Sequence, residues 1–372
     1  MTFSKQLDQL NIPKHVHNSL LSSPKSVEKT LQQTSWSLAD FTTLLSPAAT
    51  AHLEVMAHYS QRITRQRFGK AVQLFAPLYL SNECFNTCTY CGFSMHHDYP
   101  RKTLSDSEIL EEARILRNRG FQHVLLLTGE APKTVGIDYI SRAITLLHPH
   151  FASIGIEVQP FSLTDYQTSI HSGADLLTLY QETYHRDTYA AHHLYGKKRL
   201  FDHRLDAVEA GAEAGFFRIN IGALLGLYDW RYEAISLAFH LDYLQKKYWK
   251  VKYGVSFPRI QKMYGNYTTL YPVLDRDLVQ FIAAFRMVFP DIHITLSTRE
   301  PQTLRDNLVP LGITTMSAES STSPGGYAEL ESEEQFQISD LRSLNEIKAL
   351  LTQKGLDPVT KDWDDVFLTT PI

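Results

Sequence analysis

The chain has 372 residues, 43% of them apolar, with 36 Lys and Arg against 40 Asp and Glu for a net charge of −4, and only 3 cysteines. That length suits one large barrel or doubly wound domain, or two ordinary ones, and the composition excludes collagen-like, disordered and coiled-coil classes. The slightly acidic balance offers no bulk positive field to nucleic acid or an acidic membrane. There is no signal-like N-terminus and no apolar run of spanning length, so a cytoplasmic protein without a membrane or nucleic-acid partner is expected.

Residues 1–70 carry short apolar groups at helical spacing, among them Leu44, Ala48, Ala51, Leu53, Met56 and Ala57, with Pro13, Pro24 and Pro47 dividing the pieces. They predict a helical N-terminal extension. Residues 71–320 then repeat a period of strand, loop and helix, with strands predicted at Gln73–Leu80, His123–Leu127, Ile154–Val158, Leu176–Leu179, Phe217–Ile221, Gly254–Phe257, His293–Ser297 and Ile313–Met316. Most of these read as continuous apolar runs, the mark of parallel strands covered on both faces. Eight such units predict an α/β fold of the (β/α)8 TIM-barrel type. Ser105 and Glu108 form a capping box, Ile109, Ala113 and Leu116 a buried stripe, and Gly120 a stop. Asp202–Gly215 and Asp275–Pro290 read as further helices. Residues 321–372, opening on Ser323-Pro324-Gly325-Gly326 and passing through Glu331-Ser332-Glu333-Glu334, predict a loop followed by a C-terminal helix or tail.

All three thiols fall in one loop after the first predicted strand, Cys84-Phe85-Asn86-Thr87-Cys88-Thr89-Tyr90-Cys91. An odd number of cysteines clustered in this way is no disulfide framework. Three thiolates from one loop can hold three irons of a cubane and leave the fourth iron open to a small chelating ligand. A closed Cys3His zinc site completed by His96 or His97 is the alternative metal reading, and three small buried hydrophobes the non-metal one.

The C-x3-C-x2-C spacing after the first barrel strand, followed by Gly92-Phe93, resembles the radical S-adenosylmethionine (SAM) superfamily. The resemblance implies a 4Fe–4S cluster on Cys84, Cys88 and Cys91, with SAM chelating the fourth iron. Its SAM-binding groups are expected at the C-terminal ends of the strands. Thr128-Gly129-Glu130 is similar to the superfamily's Gly-Gly-Glu motif for the methionine ammonium. Glu157, before Gln159-Pro160, and Gln181-Glu182 are expected to face the ribose, Arg204 the SAM carboxylate, and Leu225, with Phe93, the adenine.

From residues 72 to 324 the chain resembles one family of this superfamily, the 2-iminoacetate synthases, tyrosine lyases of anaerobic thiamine biosynthesis. The likeness is carried by Leu78-Tyr79-Leu80-Ser81-Asn82, Cys91-Gly92-Phe93-Ser94, Gln181-Glu182-Thr183-Tyr184, Leu296-Ser297-Thr298-Arg299-Glu300, Gly312-Ile313-Thr314-Thr315-Met316-Ser317-Ala318 and Pro324-Gly325-Gly326-Tyr327. It implies cleavage of L-tyrosine to 2-iminoacetate (dehydroglycine) and p-cresol, with SAM cleaved to 5′-deoxyadenosine and methionine. Arg299 and Ser317, at the ends of the seventh and eighth strands, suit an amino-acid carboxylate, since a guanidinium grips one bidentately; a salt bridge from Arg299 to Glu300 or Asp306 and a turn cap at Ser317 are the structural alternatives. Tyr253, Phe257, Pro258 and Arg259 are further pocket candidates.

The hydrogenase-maturing tyrosine lyase and biotin synthase need additional cysteines, and residues 320–372 contain none. No Gly-x-Gly-x-x-Gly fingerprint for a nicotinamide or flavin occurs. A separate electron donor is therefore expected; the resemblance implies a flavodoxin or ferredoxin ultimately reduced by NADPH, and thiazole synthase as the partner that receives the imine. A related enzyme acting on another aromatic amino acid, and a metal-stabilised non-catalytic scaffold, are the alternative functions.

Overall fold

The computed structural model describes residues 1–261, 267–328 and 334–361. All eight predicted strands are present: β1 (Ala71–Ser81), β2 (His123–Thr128), β3 (Ser153–Glu157), β4 (Leu176–Glu182), β5 (Arg218–Ala223), β6 (Lys252–Ser256), β7 (His293–Leu296) and β8 (Thr315–Ser317). Each pairs in parallel with the next, and β1 closes the ring by pairing with both β2 and β8. The fold is a closed (β/α)8 barrel. The capping box at Ser105 and Glu108 forms as expected, and the helix Asp106–Arg119 ends on Gly120 at φ +97, a left-handed position that glycine takes without a Cβ penalty.

The N-terminal helices wrap the outside of the barrel. Pro13, Pro24 and Pro47 each sit in the first turn of a helix, where the missing N–H has no intrahelical partner to lose. Phe41 packs edge-to-face on Phe285 at 5.0 Å, Phe3 stacks on His240 at 4.2 Å, and Gln280 Nε2 donates to the Leu44 and Ser46 carbonyls. These segments share one buried apolar core with the barrel helices.

Two features depart from the expectation. After the helix Leu344–Gln353, the C-terminal segment adds a ninth parallel strand, β9 (Asp357–Val359), to the start of β1 at Ala71–Gln73. Glu331-Ser332-Glu333 and the residues after Lys361 lie outside the described residues. The strands, moreover, are not apolar on both faces. Outward-facing Leu74, Val124, Ile154, Leu177, Ile219, Val255, Ile294 and Met316 join the core under the helices, while Gln73, Ser153, Thr178, Asn220, Thr295 and Thr315 line cavities inside the ring. The hydroxyls of Thr178, Thr295 and Thr315 and the amide oxygen of Asn220 are buried without a protein partner, the setting in which buried water is held.

Bulges interrupt pairing near the C-terminal ends of β1, between Tyr79 and Ser81, and of β4, between Tyr180 and Glu182. At the second bulge Glu182 adopts φ +71. Such irregularities re-aim side chains at a barrel rim, and both lie at the mouth that holds the candidate site.

Candidate active site

The cysteine loop leaves β1 and is braced from three sides. Arg101 gathers it from one: Nη1 donates to the Asn82 and Phe93 carbonyls at 2.8 and 2.9 Å, Nη2 to those of Ser94 and His97 at 2.8 and 3.2 Å. Its rigid fork of donors organises several carbonyls at once. From a second side, Cys88 forms an antiparallel bridge with His193, and the Tyr90 hydroxyl lies 2.6 Å from His193 Nε2. From the third comes the C-terminal segment, where Gln335 accepts the Gly92 amide at 3.2 Å and places its Nε2 at 3.5 Å from Cys91 Sγ. A Cβ on Gly92 would stand 2.4 Å from the Gln335 carbonyl oxygen, so only glycine admits that approach. Phe93 is buried beneath the loop, 5.8 Å from Tyr79 in an edge-to-face pair and packed with Leu125 and Leu127.

Burial raises the Cys84 thiol to about 11 and pushes Cys88 well above the ordinary thiol range, Lys198 opposing the latter. Metal binding must displace those protons. Among the described residues no three His, Cys, Asp or Glu side chains close on a point that one ion would occupy. A cubane takes one thiolate per iron, and its ligands stand further apart. The donor set, three thiols on one braced loop with nearby Gln335 at Cys91, fits a cluster with one open iron.

Beside this loop lies a buried charge network. Glu130 accepts from Arg204 Nη1 at 2.7 Å on one oxygen and from Asn86 Nδ2 at 2.8 Å on the other. Arg204 also donates to the Tyr180 carbonyl at 2.7 Å and stands 3.6 Å from Glu182, which in turn accepts from Lys198 Nζ at 2.7 Å. Burial works against a charged Glu182, but Lys198 and Arg204 outweigh it and hold its carboxyl below the usual range. Glu157 lacks such close partners; burial, with repulsion from Glu182, raises it to about 7. Two carboxylates on one rim are thereby set apart in proton affinity.

A cavity at the barrel mouth, open to solvent, is lined by Cys91, Tyr90, Glu157, Glu182 and Lys198 together with Thr298, Arg299, Ser317 and Phe336. The alternative ion pairs for Arg299 do not form. Glu300 is taken by Arg259, with Nε at 3.0 Å, and Asp306 by Arg342 at 2.8 Å. The Arg299 guanidinium instead lies over the Phe336 ring, 3.4 Å from its centroid. Ser317 Oγ accepts the Thr298 amide at 3.1 Å, which leaves its own O–H free to donate.

Cys91, Glu157, Glu182, Arg299 and Ser317 thus share one cavity. Leu225 lies instead in the apolar core, and its neighbour Leu224 forms the cavity wall. Thr128 Oγ1 is buried without a partner; the Gly129 amide donates to Ser81, and a Cβ there would stand 2.1 Å from the Glu83 carbonyl oxygen. Of the other pocket candidates only Pro258 lines the cavity. Tyr253 donates to the Leu244 and Tyr248 carbonyls, Phe257 stacks on Phe281, and Arg259 is spent on Glu300 and Asp275. Gln181 points outward, because alternate strand residues face opposite ways, and reaches the Phe201 carbonyl. Lys198, Tyr180, Gln335 and Phe336 are site residues that the sequence reading missed. The alternation Thr178, Tyr180, Glu182 was the available signal for the second; nothing local marked the others.

The radical SAM superfamily model matches residues 78–238, and the biotin and thiamin synthesis associated domain model matches residues 256–357. The chain is similar to 2-iminoacetate synthase of Escherichia coli strain K12, 45% identical over 98% of this chain and 97% of the relative. It is also similar to that of Salmonella typhimurium, 45% identical over 91% and 90%. Among solved structures, HydG, a maturase of the FeFe-hydrogenase, superposes with a TM-score of 0.90 at 29% identity, covering 96% of this chain and 83% of that one. With the cysteine loop, the closed barrel and this near full-length identity in agreement, the chain belongs to the 2-iminoacetate synthase family of radical SAM enzymes.

Proposed function

We infer that the protein is a carbon–carbon lyase that cleaves L-tyrosine between Cα and Cβ, giving 2-iminoacetate and p-cresol for the thiazole of thiamine. The observation that carries this reading is a cavity lined both by Cys91 of the cysteine loop and by Arg299, whose guanidinium forms no salt bridge with a carboxylate among the described residues. When bound, the cluster and SAM supply a 5′-deoxyadenosyl radical. The rest of the work is positioning, because a primary carbon radical attacks almost any nearby hydrogen.

Arg299 grips the tyrosine carboxylate, and Ser317, its Oγ already held by the Thr298 amide, donates a single neutral bond to it. Together they turn the amino group toward the cysteine loop. Glu130, Glu157, Glu182 and Arg204 take the polar groups of SAM, with Lys198 fixing Glu182. Tyr79 and Tyr180, kept neutral by burial, line the remaining wall without introducing charge. Reducing equivalents come from a flavodoxin or ferredoxin ultimately fed by NADPH, and the labile imine passes to thiazole synthase. No described helix is long and apolar enough to cross a membrane. We place the protein in the cytoplasm, where free thiols and a low-potential donor coexist.

The test is anaerobic reconstitution with iron and sulfide, followed by dithionite, SAM and L-tyrosine. 5′-Deoxyadenosine and p-cresol appearing together support the lyase; deoxyadenosine without p-cresol directs the reading to another aromatic amino acid. Neither product, from protein with a verified cluster, rejects it.

A further inference from the structure

The cavity side of the cysteine loop is committed to SAM and substrate, but the loop also has an outer face. Phe85, next to Cys84, and Met95 are 42% and 43% exposed, and they lie together because the Met95 amide donates to the Asn86 carbonyl. Leu194 and Tyr195, 57% and 60% exposed, adjoin them, since the backbone of Thr87 exchanges hydrogen bonds with both. These backbone contacts thus bring four exposed large apolar residues to one region of the surface, on the loop that carries the cysteines and the segment paired with it.

Exposed cations border it. Lys197 and Arg199 follow in the same 3-10 turn, and Gly196 between Tyr195 and that turn packs against Phe85, its absent Cβ lying 2.7 Å from the Phe85 carbonyl oxygen. Lys133, also exposed, stands three residues past Glu130, whose carbonyl takes the Phe85 amide. Against them stand exposed Asp98 and half-buried Glu83 of the same loop. In a chain of net charge −4, an apolar centre with a basic border is a local departure, and this composition fits a transient partner steered by opposite charge.

We propose that Phe85, Met95, Leu194 and Tyr195, bordered by Lys133, Lys197 and Arg199, form the docking surface for a small acidic one-electron carrier. This rests on the cluster reading above. The carrier is oxidised by one electron and the cluster is reduced by one; no proton or group crosses the interface. The surface brings the carrier against Phe85, one position from the Cys84 ligand, on residues that do not line the cavity, so SAM and tyrosine stay in place while the electron arrives.

The experiment uses the reconstituted holoenzyme and follows bleaching of the cluster's visible absorbance, with a reduced acidic flavodoxin as probe and with dithionite as a small reductant needing no docking surface. Lys197→Glu with Arg199→Glu is expected to slow flavodoxin-driven reduction about tenfold at low salt, to flatten its salt dependence, and to leave dithionite-driven reduction unchanged. Lys133→Glu, in a separate segment, and Tyr195→Ser repeat the comparison with the 3-10 turn intact. Unchanged flavodoxin rates overturn the proposal, as does an equal loss with both reductants. Because cluster reduction is read directly, failure of p-cresol formation with dithionite would reject the lyase while leaving the docking result interpretable.

Discussion

The Arg299 guanidinium lies over the Phe336 ring, 3.4 Å from its centroid, and this contact joins the end of β7 to the C-terminal segment in the wall of the cavity. An aromatic platform orients a guanidinium without neutralising it. Arg299→Ala is therefore expected to lower kcat/KM for tyrosine roughly 100-fold, about 3 kcal/mol for a charged bidentate contact, with SAM binding retained. Arg299→Lys keeps the charge but loses the fork and recovers only part of that activity. Steady-state p-cresol formation alongside equilibrium SAM binding checks both.

Glu157 supplies a pH signature. Its carboxyl is raised by burial and by Glu182 to about 7, so the folded protein binds a proton there that the unfolded chain releases near 4.5. Its contribution to stability is complete below 4.5 and is lost as the pH rises through 7. Binding of a ribose hydroxyl runs the other way, because the ionised carboxylate is the acceptor. The KM for SAM is expected to fall as pH rises through about 7, and Glu157→Gln should remove that inflection; a profile unchanged in the variant would take Glu157 out of the SAM site.

His193 and His240 act at the acid end. Burial lowers each to about 3, Lys198 adding to the effect at His193. Both are neutral when folded, and the unfolded chain protonates them near 6.5, so their contribution is present above 6.5 and lost as pH falls toward 3. Urea midpoints measured from pH 7 to 4 are expected to drop steeply, and His240→Phe, which also leaves Tyr184 without its 2.8 Å partner, should flatten that drop while lowering stability at pH 7 by about 1 kcal/mol.

Gly129→Ala tests the approach of β2 to the cysteine loop. The added methyl would meet the Glu83 carbonyl carbon at 2.8 Å and Cys84 Cβ at 2.9 Å, none of them a flexible side-chain tip. The strain, of order 1–3 kcal/mol, is best relieved by moving Cys84. Iron and sulfide per chain after reconstitution are expected to fall well below those of the parent, with far-ultraviolet circular dichroism unchanged.

The barrel was legible because eight short β-rich stretches alternate with amphipathic segments across polar turns, and the cluster loop because three cysteines stand within eight residues. β9 was not, since Asp357-Pro358-Val359 has neither length nor an apolar pattern and exists only by pairing with Ala71–Gln73. Lys198 was missed for a similar reason. In Lys197-Lys198-Arg199 it reads as one more solvated charge, and only the turn at Gly196, φ +88, packed against Asn86 and Phe85, carries its ammonium to Glu182. The polar inner face, by contrast, was visible in the alternation of Arg218, Asn220 and Gly222 with Ile219 and Ile221, which a search for continuous apolar runs passes over.

The brace on the cysteine loop by Gln335 has a consequence for biosynthesis. Gln335 is 244 residues downstream of Cys91, and β9, which pairs with the start of β1, follows later still. At ordinary elongation rates the thiols leave the ribosome roughly 12–50 s before their last brace does. Until then nothing seats Gly92 or caps Cys91. The loop that would hold the cluster is therefore among the last parts of the barrel to be fixed, and its three thiols stay without this brace until nearly the whole chain has been made.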